Sequence, residues 1–322
     1  MSRVSRRTFV AGAAAGASLS LLPRSVTAAA FPTQTVKIVV PFSAGSMTDI
    51  LARAISDKLQ AKWNQTVVVE NRPGVAGASS VAKGPSDGYT LMLTSNGHTV
   101  IGAVNKNLTF DPMADFIAIG KVATTPSILI APADGPHKTL ADLIATAKAK
   151  PGELSYASAG IGSSTGIAAE LFKKLTGTKM VLVAHRGLPE SNTSVLRGDT
   201  AMGFTFFSVG GDLIQSGRLR ALAVTGDARL PQLPDVPTFK EAGLADFVYD
   251  AWFGILAQAQ TPKEIVDQLG KDLAEAVKLP DLKERFAPQA VSFVSETPSA
   301  FALIIQNDAE RYRKLVQEAS GG

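Results

Sequence analysis

The sequence of 322 residues predicts an α/β protein of two domains. Three observations carry this. The length exceeds what one small core fills, short Val/Ile/Leu-rich runs alternate with helical periods along most of the chain, and several helix starts bear capping signals. Such alternation predicts mostly parallel sheets flanked by helices, because parallel neighbours need a long crossover, usually helical.

Residues 1–30 stand apart from the rest. Ser5-Arg6-Arg7-Thr8-Phe9-Val10 gives a basic start of twin-arginine form, an apolar Ala/Gly/Leu run follows, and Ala28-Ala29-Ala30 offers a small-residue cleavage site. The segment reads as an export signal cleaved near Ala30, and a periplasmic location is expected. Its apolar stretch is too short, and too interrupted by glycine and Pro23, for a membrane span. The chain has 32 basic and 28 acidic residues, and the segment holds Arg3, Arg6, Arg7 and Arg24 but no acid, so the remainder is formally neutral. No basic stripe interleaved with aromatics is left, which argues against a nucleic-acid partner.

The absence of cysteine excludes disulfides, thiolate catalysis and iron–sulfur clusters. The three histidines, His98, His137 and His185, lack any ligand spacing, so neither a metal nor another cofactor is expected.

Strands are expected at Thr35–Pro41, Thr66–Asn71, Thr90–Thr94, Ile117–Ala123, Ser127–Ala131, Ser155–Ala157, Met180–Ala184, Ala201–Phe206, Ala221–Thr225, Phe253–Ala257 and Ala290–Val294. Ser46-Met47-Thr48-Asp49, Thr139-Leu140-Ala141-Asp142 and Thr261-Pro262-Lys263-Glu264 each fit a capping box. With no long low-complexity linker, the domains are expected to be joined by ordered strands. Val122–Pro132 would leave the first and Ala251–Gln258 return to it, giving one lobe of residues 31–124 and 251–322 and another of 125–250.

Two loops of small residues draw attention. Phe42-Ser43-Ala44-Gly45-Ser46 runs from the first strand into a helix that opens with Thr48 and Asp49, and Ser155-Tyr156-Ala157-Ser158-Ala159-Gly160-Ile161-Gly162-Ser163-Ser164 does the same further on. The first turn of a helix carries N–H groups without intrahelical partners and partial positive charge. Either loop alone is compatible with an ordinary capped turn. Together they suit an anion gripped from both domains.

Two enzyme readings compete. Gly162-Ser163-Ser164-Thr165-Gly166 matches G-x-S-x-G, with Ser164 as nucleophile and Glu170 and His185 as its only available partners, a spacing too short for the usual hydrolase fold. Gly160, Gly162 and Gly166 form a loose dinucleotide loop with Arg186 near a 2′-phosphate, although no reductase acid is evident. Asn96, Gly97 and His98 follow a strand and would line the same cleft. Phe204, Phe206 and Phe207 surround Thr205, and Trp252 precedes the returning strand. Alternating aromatics are more often core than ligand box.

Val39-Val40-Pro41-Phe42 through Arg53, Val67 to Gly74, Asp87-Gly88-Tyr89-Thr90-Leu91, Ser155 to Gly160, Leu219 to Thr225, Leu233 to Thr238 and Trp252-Phe253-Gly254 together resemble the periplasmic substrate-binding proteins of tripartite tricarboxylate transporters, the Bordetella uptake gene (Bug) family. The resemblance spans nearly the whole chain after residue 30. It implies a two-lobed, Venus-flytrap fold that closes on a carboxylate held by the two loops, and delivery to a membrane permease. No enzymatic activity is expected, and the protein is expected to act as a monomer.

Three departures matter. Ser46 stands where the family's first loop usually has glycine. The common Val-Pro-Tyr-Lys-Gly segment is Val183-Ala184-His185-Arg186-Gly187. Thr205 corresponds to an aspartate that many members carry where it could meet a ligand amine, which disfavours an amino-acid ligand. The aromatic residues nearby point to a non-amino mono- or dicarboxylate, with an aromatic acid among the options. The resulting site comprises Phe42, Ser43, Ala44, Gly45, Ser46, Thr48, Asp49, Asn96, Gly97, His98, Ser158, Ala159, Gly160, Gly162, Ser163, Ser164, Arg186, Thr205 and Phe207.

Overall fold

A computed structural model describes residues 31–320 apart from Lys106 and Val248, with side chains through residue 315. The expected export signal lies outside the described residues.

The elements run β1 (Val36–Val40), α1 (Met47–Trp63), β2 (Val67–Asn71), α2 (Val75–Ala82), β3 (Thr90–Ser95), a 3-10 turn (Asn96–Val100), α3 (Ile101–Val104), β4 (Phe116–Thr125), β5 (Ile128–Pro132), α4 (Leu140–Ala149), β6 (Ser155–Ser158) and α5 (Ser164–Thr176). There follow β7 (Val181–Ala184), α6 (Leu188–Leu196), β8 (Met202–Thr205), α7 (Phe207–Gln215), β9 (Leu219–Val224), β10 (Ala251–Gln258), α8 (Lys263–Ala276), α9 (Pro280–Phe286), β11 (Ser292–Phe293) and α10 (Pro298–Ser320). Each described strand matches an expected run to within a few residues at its ends.

The strands form two sheets flanked by helices, ordered β11-β4-β10-β3-β1-β2 and β7-β6-β8-β5-β9. As expected, most strands of each sheet run the same way, with β10 and β11 reversed in the first and β5 in the second. β1 is parallel to β2 and β3, and β6 is parallel to β7 and β8. The strands near the two sheet-to-sheet connections are antiparallel to these: β10 lies between β3 and β4, and β5 between β8 and β9. The reason is the path of the chain. β4 ends at Thr125, two residues before β5 opens the other sheet, and β10 brings the chain back beside β4 at Ala251. Hence β5 and β10 both start at the edge where the parallel strands end, with Ile128 opposite Thr205 and Phe253 opposite Ser95.

Each sheet has its own core. Val39, Val81, Met92, Trp252, Leu256 and Phe301 are buried together around the first. In the second, Ile128, Ile130, Ala157, Val195 and Val224 pack together, and Phe204 stacks on Phe239 and Phe247. Burial on both faces explains why β1 and β10 read as nearly continuous apolar runs.

Of the three expected capping boxes, one is complete. At α4 the Thr139 hydroxyl accepts from the Asp142 amide, and the Asp142 carboxylate accepts from the Thr139 amide. At α1 the Ser46 hydroxyl accepts from the Asp49 amide, but the Asp49 carboxylate reaches one residue further back, to the Gly45 amide. At α8 the helix begins at Lys263 after Pro262, and the Thr261 hydroxyl donates to the Gln258 carbonyl instead of capping.

Candidate functional site

Because β1, β2 and β3 point the same way, their carboxyl ends at Val40, Asn71 and Ser95 lie along one edge. The same holds for Ser158, Ala184 and Thr205 in the second sheet. In open α/β sheets ligands bind outside such edges. The loops leaving these ends meet: the Ser43 amide donates to the Arg186 carbonyl at 3.1 Å, and the Ser43 hydroxyl to Glu190 at 3.0 Å. The Ser208 hydroxyl lies 2.9 Å from the Met47 sulfur. Gly97 packs so tightly on the second loop that a Cβ there would fall 2.4 Å from the Gly162 carbonyl oxygen.

Two cavities result. The junction of the loops is small, about 20 Å³, and is lined by Phe42, Ser46, Met47, Thr48, Ser95, Ala159, Ser163, Ser164, Thr165, Leu188, Phe206 and Phe253. Here the first turns of α1 and α5 converge, and among the described residues the amides of Met47, Thr48, Ser164 and Thr165 have no acceptor. Beside it opens a chamber of about 460 Å³, within the usual range for small-ligand pockets. Its walls are Pro41, Phe42, Pro73, Gly74, Val75, Ala78, Thr94, His98, Ile101, Val104 and Asn105 from one sheet and Ala159, Ile161, Gly162, His185 and Arg186 from the other. Phe42 and Ala159 border both cavities.

Nine expected site residues therefore line one cavity or the other: Phe42, Ser46, Thr48, His98, Ala159, Gly162, Ser163, Ser164 and Arg186. The others line neither, for identifiable reasons. Ser43 joins the loops, and Ala44 and Gly45 are exposed at the turn, where Gly45 has φ of 75°. Burial pushes the Asp49 carboxyl upward, but hydrogen bonds from Arg53, Gly45 and Asn71 outweigh it and hold the pKa below the ordinary aspartate value. Asp49 thus closes the turn. Asn96 donates to Tyr249 and the Asp250 carbonyl, and Gly97 is a packing contact. The Ser158 hydroxyl joins those of Ser163 and Thr165 in a buried cluster, and Gly160 makes the turn beneath it with φ of 89°.

His98 is an inward-facing wall residue. Burial lowers its pKa to about 4, and its Nε2 is 2.8 Å from the Pro112 carbonyl oxygen. Most of the aromatic group belongs to the cores. Phe204 stacks in the core, Phe207 packs against the core of the second sheet, and Trp252 lies edge-on to Phe301 with its indole N–H donated to Asp308. Of that group, Phe206 borders the junction cavity, joined by Phe253. Thr205 is fully buried, and its Oγ1 has no partner among the described residues.

Sequence reasoning missed Pro73, Val75, Ile101 and Val104, which make up much of the chamber wall. Apolar side chains carry no chemical signature by themselves, and only the Pro73-Gly74 turn, with Gly74 at φ of 79°, marked one of the contributing segments.

The hydrolase reading fails on geometry. Glu170, the only acid available to it, accepts from Tyr156 and pairs with Lys173 at 2.8 Å. Among the described residues no cluster of histidine and acidic residues could hold a metal, and no helix is long and apolar enough to cross a membrane.

Comparisons agree with this architecture. The family model "Tripartite tricarboxylate transporter family receptor" matches residues 51–320. A UPF0065 protein from the tcbD-tcbE intergenic region of Pseudomonas sp. strain P51 is 33% identical over 99% of this chain and 96% of its own. BugT of Bordetella pertussis is 31% identical over 91% of each chain. Among solved structures, R. palustris Rpa4515 with adipate superposes with a TM-score of 0.83 at 30% identity, covering 90% of this chain and 98% of the other. MatC of Rhodopseudomonas palustris with bound malate gives 0.83 at 28% identity, over 89% and 100%. The two-lobed architecture is shared with the periplasmic binding protein BugD, which superposes with a TM-score of 0.83 at 29% identity over 90% of this chain and 98% of the other. The chain belongs to the tripartite tricarboxylate transporter family of receptors.

Proposed function

We propose that this receptor captures a small non-amino carboxylate between its two sheets and delivers it to a membrane permease of the tripartite tricarboxylate type. The lobes are residues 31–124 with 251–322, and 125–250, and export is directed by residues 1–30. One observation carries the reading. Two helix N-termini from different sheets present the unpaired amides of Met47, Thr48, Ser164 and Thr165 to one junction, beside a chamber large enough for an organic body. Such amides, with the helix dipoles behind them, suit a carboxylate. Closure follows if the ligand bonds to both lobes only when they meet, since it then shifts the equilibrium toward the closed form.

The relatives solved with adipate and malate support a carboxylate ligand here. An amino acid is disfavoured, because Asp49 is committed to Arg53 and Thr205 supplies no charge, so an ammonium would be buried without its counter-ion. With Phe204, Phe207 and Trp252 in the cores, an aliphatic acid fits better than an aromatic one.

A thermal-shift panel of aliphatic carboxylates, amino acids and aromatic acids tests this. A ligand at about a hundred times its Kd stabilises the protein by about 2.7 kcal/mol. Saturable stabilisation by aliphatic carboxylates is expected. Tighter binding of glutamate or aspartate, or no response to any carboxylate, overturns the reading.

A further inference from the structure

We infer that Ser43 and Glu190 form a latch at the rim of the site, a contact between the two sheets that sets how fast any bound molecule leaves. The inference rests on capture between the sheets as read above, and not on what is captured.

The start of α6 shows why. A capping box pairs a serine or threonine at the N-cap with a glutamate three residues on. α6 has the glutamate, Glu190, but its N-cap is Gly187, which brings no side chain to the helix start. The hydroxyl comes instead from the other sheet. Ser43, in the loop after β1, donates to the Glu190 carboxylate at 3.0 Å. A Cβ built on Gly187 would overlap the Ser43 hydroxyl and lie 3.3 Å from the same carboxylate oxygen, so Ser43 fills the space that a side chain at position 187 would take. The backbone of Gly187 is extended, with φ of −177°, so glycine serves here to permit this close approach.

The contact lies where a latch is effective. Ser43 follows Phe42, which borders both cavities, and Gly187 stands between Arg186 of the chamber wall and Leu188 of the junction. Beside it the Ser43 amide donates to the Arg186 carbonyl at 3.1 Å, and a Cβ on Gly45 would meet the Pro189 ring at 3.6 Å. Glu190 is exposed and Ser43 half-buried, so their bond can break without unpacking either core. A hydroxyl-to-carboxylate bond is charge-assisted, and exposure keeps its contribution modest. Glu190 lines neither cavity of the site and acts through Ser43, as a positioning residue.

The chain has no cysteine, so spin labels can be attached through Lys148→Cys on α4 and Glu264→Cys on α8, both exposed, and the distance distribution between the two sheets' domains measured without ligand. Ser43→Ala, Glu190→Ala and Gly187→Ala are each expected to raise the ratio of open to closed populations about fivefold. The double variant Ser43→Ala/Glu190→Ala should go no further than either single one, because all of them lose the same bond. Glu190→Gln keeps an acceptor and is expected to recover part of the effect. With adipate as the probe in stopped-flow measurements, the same variants should speed release by about the same factor and change association little. Unchanged distance distributions, or additive effects in the double variant, overturn the inference. So does faster adipate release in Ser43→Ala without the same change in Glu190→Ala, since Ser43 would then act on the ligand directly. If adipate does not bind, that result bears on the carboxylate reading alone, and the distances still decide the latch.

Discussion

The hydroxyl of Tyr249 donates to the carbonyl oxygen of Ser164 across 2.5 Å, and the side-chain amide of Asn96 donates to that same hydroxyl at 3.0 Å. Three segments meet in this contact: the turn after β3, the approach to β10, and the first turn of α5. Burial pushes the Tyr249 phenol well above its usual pKa, so it stays protonated and able to donate. Tyr249→Phe leaves Asn96 short of one partner and frees α5 at the end that faces the junction. A stability loss of about 1 to 2 kcal/mol is expected in urea unfolding. Weaker carboxylate binding should accompany it, whereas an unchanged midpoint and affinity would mean that the contact carries no load.

Gly97 separates closure from folding. A Cβ at this position would lie 2.4 Å from both the Gly162 carbonyl oxygen and the Ser163 Cα, which are backbone atoms of the opposite sheet's loop. Gly97→Ala should therefore hold the loops apart and weaken ligand binding by about tenfold or more, the size of a typical overpacking penalty. Gly160→Ala is the useful contrast. Its Cβ meets nothing within 4 Å, and the cost there is the left-handed φ of 89°, felt as a lower melting temperature. Equal effects of the two substitutions on affinity would contradict this division.

Much of the architecture could be read directly from residue patterns. Val36–Val40 and Ile128–Pro132 are apolar enough to be central strands in any arrangement, and the small residues around Gly45 and Gly162 mark loops into helix starts. Strand direction is another matter. The antiparallel entry of β10 follows from how the chain returns across the connection, which no local pattern of Ala251–Gln258 encodes. The site was legible only where its chemistry is local. Hydroxyls and glycines at Ser46 and Ser163 signal backbone left open, whereas Val75 and Ile101 look like any core residue until two sheets place them across one cavity. Phe204 shows the converse, since alternation in a strand does not say which face meets a ligand.

His98 makes stability depend on pH. Burial is the main cause of its lowered pKa of about 4, against an ordinary value of about 6.5 in the unfolded chain. Between these values the unfolded state binds the extra proton, so stability rises with pH. The contribution is complete above about pH 6.5 and is lost as pH falls through 4. Linkage gives a loss of about 2 kcal/mol between pH 7.5 and 5. His98→Gln should flatten that part of the stability profile in urea titrations at the two pH values, and a variant with the parent's slope would assign the dependence elsewhere.

Asn192 offers a stabilising substitution. It lies on α6 with 2% of its surface exposed, and neither its side-chain nitrogen nor its oxygen has a partner among the described residues. Thr205 Oγ1 is also unpartnered, and both side chains crowd Gly210, where a Cβ would fall 2.9 Å from that oxygen and 3.2 Å from the Asn192 nitrogen. An amide buried without hydrogen bonds costs about 1 to 3 kcal/mol, and an apolar group of similar shape avoids the cost. Asn192→Leu should therefore raise the melting temperature, and the gain should persist in Asn192→Leu/Thr205→Val, where the second unpaired group is removed as well. The double variant also addresses the ligand. If affinity for a carboxylate is unchanged in the stabilised protein, the pair is a structural cost only. A fall in affinity together with the gain in stability would mean that the polar pair is retained for binding, a trade expected at sites where function opposes stability.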